Sequence, residues 1–315
     1  MNPFLQPDYL RFWDALAAPT LFIMDGEGEF RVSRKRVARG LASLRRLSLA
    51  ADEHDWAVEL TAQRLTRLNA FAERASWQYG QLLCYADDFA ALWPREGILK
   101  NCRWRAMPSG DAYLLPIDQG YDSVLAGLTS KARCEIRRKE KKARALSSAC
   151  RLLNHDGDWQ TSLARFYDLH VAFWRERGQQ SVFESPAQRE CMSAWMREAA
   201  AQERVQFWGA FLADRLCSMR IGLRDGDTYY SLLTINTGDF AEHSPGGLLL
   251  QAELQAQCEA GLRLFHLGPG YARYKEQIGA QPRAMSRIWL AHPRSLRGNL
   301  LLAYRRPRAI AARPE

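Results

Sequence analysis

Long apolar runs are missing from this chain: no stretch reaches the length needed to cross a bilayer as a helix. The first residues, MNPFLQPDYLRFWDALAAPTLFIMDG, lack the basic start and unbroken apolar run of a secretory leader. Cysteine is sparse and unpaired in pattern. There are seven, an odd number, with no C-x-x-C and no histidine at zinc-ligand spacing, which argues against a disulfide framework or a structural zinc site. No G-x-x-x-x-G-K-[ST] or G-x-G-x-x-G run occurs, so neither a Walker loop nor a dinucleotide fingerprint is expected. No metal cofactor is expected either, and the reading places the chain in the cytoplasm.

What is present is an ordinary globular composition, 47% apolar and 25% charged over 315 residues, enough for two domains. The charge is unevenly placed. Residues 131–151 carry a balance of +7 and residues 283–314 one of +8, while the whole chain is only +9. Such local basicity points to anionic groups meeting particular surfaces.

Periodicity organises the first half only weakly. A helix is expected over Phe4 to Ala17, a short strand over Leu21–Met24, and an amphipathic helix over Ala57 to Arg74. Strands are expected near Gln81–Cys84 and Ala112–Leu115.

The second half is more legible. Lys131 to Leu146 reads as a helix with a thin apolar stripe (Ala132, Ile136, Ala143, Leu146) and a basic one, supported by Glu135–Lys139 and Glu140–Arg144 pairs. Asp158 should cap a helix over Trp159–Arg177 that buries Leu163, Phe166, Tyr167, Phe173 and Trp174 and ends at Gly178. Another helix is expected over Gln188–Ala201. Three strands follow as an antiparallel meander: Val205–Leu212, a turn at Asp214-Arg215, Leu216–Leu223, a tight turn at Asp225-Gly226, and Thr228–Asn236.

The segment after the meander poses a conflict. From Gln251 to Ala260 polar and apolar residues alternate, which reads as a strand, yet nearly all are strong helix formers and Gly261 stands at a C-cap position. Helix is the reading over Leu248–Ala260. A strand over Arg263–Leu267, a Gly268-Pro269-Gly270 loop and a last strand over Ile288–Ala291 complete the order.

His243-Ser244-Pro245-Gly246-Gly247, with Leu248, opens that helix. Helix starts offer N–H groups and partial positive charge to anions, and glycine lets a pyrophosphate approach the backbone. A plain turn capped by Ser244 would leave the same residues.

Several blocks together carry a resemblance. LTSKARCEIRRKEKKARAL looks like a Ser-Lys-x-Arg plus basic-helix signature, FYDLHVAFWRERGQQSVF like a Leu-His-x-x-x-Trp-x-x-x-Gly block, and SPGGLLLQ with EAGLRLFHLGPGYARYKEQIG like a closing Gly-loop and Gly-x-x-x-Tyr-Lys block. In this order they resemble the CelD/BcsL-like acetyltransferases, relatives of the FemAB peptidyl transferases. EHDWAVEL and WQYGQLLCYADD are weaker matches in the first half.

The resemblance implies an α/β (α+β) architecture of two tandem GNAT-like domains, each a mixed, largely antiparallel sheet flanked by helices. Residues 1–127 would be a degenerate first copy, structural or acceptor-binding, and residues 128–315 the acyl-transferring one. It implies acetyl-CoA or a longer acyl-CoA as donor, with its pyrophosphate on His243, Ser244, Gly246, Gly247 and Leu248 and its thioester beside Thr228–Asn236. It also implies transfer to an amine or hydroxyl, with envelope or polysaccharide assembly as the setting. One departure stands out: Phe265-His266-Leu267-Gly268 replaces the family's usual Phe-Asp-Leu-Gly.

Candidate residues follow from that chemistry, which needs a deprotonated acceptor and stabilisation of an oxyanion. His266, Lys275 and Tyr274 are the catalytic candidates. His266 at a strand end can take a proton, or serve as a half-buried residue bonded to the loop. Lys275 at the Tyr-Lys position can hold a phosphate or developing negative charge, or be a surface lysine. Lys131, Arg133, Arg137, His170 and Tyr230 are candidates for holding an anionic small-molecule or saccharide acceptor, against plain solvated-helix and core roles. Cys217 and Cys258 are read as core. The Arg-rich stretch from Tyr304 to Arg308 is a candidate for contact with anionic lipid. Competing readings are FemAB-like aminoacyl transfer from charged tRNA, a nucleic-acid-binding protein, disfavoured by the lack of any recognisable binding motif, and a non-catalytic scaffold.

Overall fold

The structure, a computed structural model, describes residues 23–24, 30–36, 43–49, 57–96, 102–155 and 157–304. The helix expected over Phe4 to Ala17 and the residues after Tyr304 lie outside them. The chain forms a mixed α/β fold whose sheet strands pair mostly antiparallel, flanked by helices, as expected. Its described residues fall into two compact units.

The first unit comprises residues 113–268 and 272–281. Its strands, in spatial order, are the end of β5 (Arg103–Pro116), β10 (Leu264–Pro269), β9 (Thr228–Asn236), β8 (Arg215–Asp225), β7 (Val205–Leu212) and β6 (Ala149–Leu152). The β7–β8–β9 meander is antiparallel, and β10 runs parallel to β9. All eight residues of β7 are buried. The ambiguous segment is a helix, Pro245–Glu259, and it packs on β6 to β9. Helix propensity and tertiary burial override the alternating pattern, because Leu249, Leu250, Glu253, Leu254 and Gln257 all turn inward at helical spacing.

The second unit comprises the described parts of residues 23–112, with 269–271 and 282–304. Its strand order is β1 (Ile23–Met24), β2 (Phe30–Arg36), β3 (Ser43–Leu49), β4 (Tyr79–Tyr85), β11 (Gln281–Ala291) and the first part of β5. Here too one pair, β3 with β4, is parallel amid antiparallel neighbours. Every residue of β4 is buried, as its apolar YGQLLCY sequence demands. Helices Ala62–Arg74 and Leu296–Tyr304 flank this unit's strands, and Gly298 of the latter sits where a Cβ would meet the Gln78 carbonyl at 2.0 Å.

Local expectations needed several corrections. Helix Ala62–Arg74 starts five residues later than read, because the Thr61 hydroxyl caps it by accepting from Arg64 N–H, while Val58 bridges to Cys84 in extended form. The β7–β8 turn is centred on Ala213-Asp214, both with positive φ, rather than on Asp214-Arg215. The helix capped by Asp158 spans Trp159–Arg175, and Phe173 and Trp174 on it are only half-buried. On the basic helix Ser130–Arg144 only Ala143 is buried. Glu135 pairs with Arg138 at 2.7 Å and with Lys139 at 3.7 Å, but Glu140 makes no ion pair. The last strand begins at Gln281, and a short helix, Arg273–Gln277, was not foreseen.

Candidate functional site

The meander builds the site by failing to stay paired. Between β8 and β9 the register steps from Ile221↔Leu233 to Gly222↔Ser231, leaving Leu232 as an extra residue, a β-bulge. On the other edge, β9 and β10 pair for only three residues, the last rung being Tyr230↔His266. Beyond it β9 runs on to Asn236 and β10 to Pro269 without pairing, so the two parallel strands part and leave an opening at their C-terminal ends. Ligands in open α/β sheets bind at such carboxyl ends.

The loop leaving β9 leads directly to the Gly-loop helix. Phe240 and Ser244 both hold left-handed backbone conformations, an uncommon state for residues with a Cβ and one that concentrates at functional sites. The Ser244 carbonyl accepts from Gly247 and Leu248 N–H, and Pro245 has no N–H to offer. Among the described residues the Gly246 N–H and the Ser244 hydroxyl have no intramolecular partner at the helix start. Gly246 is glycine for a packing reason as well: a Cβ there would lie 2.5 Å from Asn236 Oδ1. Gly247 faces open space, with Ser244 Cβ the nearest atom at 3.7 Å. His243 is partly covered, its Nδ1 3.1 Å from a Glu242 carboxylate oxygen but outside hydrogen-bond geometry.

His266 and Tyr230 share the last rung, and their rings stack at 5.3 Å. Strand alternation puts them on the face opposite Phe265 and Tyr229, which pack in the core with Leu250 and Leu254. His266 is buried, and its Nδ1 accepts from Gly268 N–H at 3.0 Å, so a neutral imidazole there carries its proton on Nε2. Gly268 also accepts, through its carbonyl, from Lys275 Nζ at 3.2 Å. One glycine peptide segment thus ties together two of the three catalytic candidates. Lys275, only 5% exposed, lies over the Tyr113 ring at 5.3 Å, and burial, with a smaller contribution from Arg220, lowers its pKa to about 8. Tyr274, its neighbour, is exposed.

The remaining candidates are distributed more widely. The basic helix packs against the Ala241–His243 turn and the Gly-loop helix. Among the described residues Lys131, Arg137, Lys141, Lys142 and Arg144 have no ion-pair partner, and Lys131 and Arg137 are exposed. Arg133 instead donates to the carbonyls of Ala126 and Leu128, clamping the turn that starts its own helix. His170 lies apart from these groups. Its Nδ1 bonds Ser181 Oγ at 2.8 Å and its Nε2 accepts from Trp174 Nε1 at 3.1 Å, amid Phe166 and Phe183. Cys217 is buried and Cys258 half-buried, with burial raising both thiol pKa values. Among the described residues no cluster of three or more His, Cys, Asp and Glu could hold a metal ion.

Sequence reasoning missed the polar ladder behind the site. Arg220 of β8 donates to Glu253 at 2.7 Å and to Ser231, and Glu253, fully buried, also accepts from the Tyr229 hydroxyl. One turn on, Gln257 accepts from Arg224 and donates to Gln206. These bonds fix the Gly-loop helix to the meander. The available signal was a lone arginine in SMRIG and a lone glutamate in an apolar helix face, both expensive to bury unless paired.

Residues 130–276 match the family described as Acetyltransferase (GNAT) domain. They span the basic helix, the meander, the Gly-loop helix and Lys275. This segment is similar to that family. Solved structures agree in fold. The crystal structure of FemX matches with a TM-score of 0.63 and 11% identity over 95% of this chain and 94% of that one. A conserved protein of unknown function from Bacteroides thetaiotaomicron gives a TM-score of 0.58 at 12% identity, covering 92% of each chain. L-PGS from Bacillus licheniformis gives 0.56 at 12% identity over 96% of this chain and 98% of that one. At such identities the likeness shows the fold alone. No curated protein matches the sequence.

Proposed function

We propose that the GNAT domain transfers an acyl group directly from an acyl-CoA thioester, acetyl-CoA or a longer one, to an amine or hydroxyl of a small anionic acceptor such as a phosphate-linked saccharide. The observation that carries the reading is the parting of β9 from β10 after the Tyr230↔His266 rung, with the Gly-loop at its mouth. An extended pantetheine arm has the width of a strand and can bond the β9 edge that β10 leaves. The donor's phosphates would then meet the Gly246 N–H, the Ser244 hydroxyl and the unpaired cations of the basic helix.

In this scheme the acceptor nitrogen or oxygen attacks the thioester carbonyl, a C–N or C–O bond forms, and the C–S bond breaks. The acceptor's proton passes to Lys275 Nζ, whose lowered pKa leaves a useful neutral fraction near pH 8, and the departing thiolate takes up a proton. His266 offers Nε2–H as a donor and holds Tyr230 and Gly268 in place. The resemblance to the CelD/BcsL-like acetyltransferases favours envelope or polysaccharide substrates. We keep the second unit as a degenerate, structural or acceptor-binding partner.

One observation favours a second reading, aminoacyl transfer from charged tRNA: among the described residues five cations of the basic helix, which packs on the Gly-loop helix, stand without ion pairs. Calorimetry with acetyl-CoA and longer acyl-CoAs separates the two. Micromolar-range binding abolished by Gly247→Glu, at a position open enough to leave folding intact, is the expected result. Absence of binding to any acyl-CoA would sink the thioester reading and promote charged tRNA.

A further inference from the structure

The helix Leu296–Tyr304 of the second unit is apolar on its outside. Its inner face is settled: Gly298 lies against the Gln78 carbonyl and Leu302 is buried with Tyr79 and Trp289. Leu296, Leu300 and Tyr304 follow one another at helical spacing on the opposite side, with 76%, 51% and 84% of their surfaces exposed. A helix of a soluble domain normally turns polar residues outward, so this stripe awaits a cover. Trp104, also exposed and flanked by exposed Arg103 and Arg105, lines a concavity with Asn299, Leu302 and Ala303 of the same helix.

Arginines adjoin the stripe: Arg294, just before the helix, and Arg297, on it, are both exposed. At the helix start, Arg45, Arg74 and Arg294 line an open depression of about 400 Å³ with Ser76, Gln78 and His292. Among the described residues none of the three guanidinium groups has a carboxylate partner, and no acidic residue lines the depression. Three uncompensated like charges around one concavity are unfavourable until an anion joins them.

We propose that this surface docks on a bilayer containing acidic phospholipids, with Leu296, Leu300 and Tyr304 in the acyl boundary and headgroup phosphates in the Arg45–Arg74–Arg294 depression. Apolar residues on one side, arginines around them and an aromatic at the margin are the pattern of an interfacial helix. Charge decides against a second copy of the chain as the cover, because that copy would bring the same excess of arginine to the contact. The proposal does not depend on which donor the GNAT domain uses.

The test is sedimentation of the full chain with vesicles of phosphatidylcholine alone and with one-third phosphatidylglycerol. Binding only to the acidic vesicles is expected, weakened about tenfold or more by Leu296→Ser/Leu300→Ser and again by Arg74→Ser/Arg294→Ser. All four residues are exposed, so folding should survive, and circular dichroism with an unchanged denaturation midpoint checks it. Three results would overturn the proposal: no binding to acidic vesicles, binding indifferent to the leucine pair, or a self-association in solution that the leucine pair removes. Equal affinity for soluble glycerol phosphate without vesicles would show a free-phosphate pocket and also overturn the docking surface.

Discussion

Tyr229 occupies the space that a side chain on Gly222 would need. A Cβ on Gly222 would lie 1.9 Å from the Tyr229 hydroxyl and 2.2 Å from its ring carbon Cζ. The phenol crosses β8 at that one gap and reaches Glu253, which Arg220 holds from the same strand. The glycine is thus the passage through which β9 is tied to the Gly-loop helix.

Gly222→Ala should therefore displace the tyrosine and break its bond to Glu253. A destabilisation of about 2–4 kcal/mol is expected, read from the denaturation midpoint at constant m. Tyr229→Phe should fail to rescue it, since the obstructing ring carbon remains.

The buried pair behind the loop makes a second prediction. Arg220→Met or Glu253→Leu alone leaves one charge buried without its partner and should cost about 3–5 kcal/mol. The double variant should recover most of that loss. If it is as unstable as the single variants, the pair itself, rather than the desolvated survivor, holds the helix.

Lys275 gives opposite pH signatures for stability and for rate. Its folded pKa of about 8 lies below the ordinary lysine value of 10.5, so from about pH 8 to 10.5 the unfolded chain binds the extra proton. Stability from this group is lowest below pH 8 and recovers as pH rises through that window. Lys275→Met should accordingly raise the midpoint at pH 7, with the gain fading above pH 10. The acyl-transfer rate should climb with pH through about 8 in the parent enzyme, and Lys275→Arg should lose both the limb and most of the rate.

His170 should make the first unit acid-sensitive. Burial lowers its pKa, and its Nε2 accepts from Trp174 only when unprotonated. Below the unfolded value near 6.5 the unfolded chain takes the proton first, so stability falls as pH drops from there. His170→Phe should flatten the midpoint between pH 5.5 and 7, followed by tryptophan fluorescence.

Gly246→Ala should weaken donor binding by moving the loop, because its Cβ would press on Asn236 Oδ1 while its N–H stays available to the donor. Asn236→Gly in the same chain should restore affinity in calorimetry. Failure of that rescue would mean that the added methyl obstructs the donor itself rather than the loop.

Local sequence was enough for elements whose signals are short-range. The meander was legible because Asp225-Gly226 marks a tight turn and β7 is a near-continuous apolar run. Asp158 announced its helix by the cap it makes with Thr161 N–H. The start of helix Ala62–Arg74 was misread because Ala57, Val58 and Leu60 are buried by packing in extended form, which apolar spacing alone cannot distinguish from a helix face. Helix Arg273–Gln277 is too short to show a period.

The sequence by itself determined where charge gathers, which segments alternate or repeat at helical spacing, and that a glycine pair opens a helix after the third strand of a meander. Only the tertiary structure decided that β9 and β10 part after Tyr230↔His266, that Gly268 joins His266 to Lys275, and that Gly246 yields to Asn236. It also decided that Leu296, Leu300 and Tyr304 face outward. The reason is one of range. Caps, turns and periods act over a few residues, whereas strand separation, desolvation of Lys275 and the pairing of Arg220 with Glu253 arise between segments distant in sequence, and no local pattern encodes those distances.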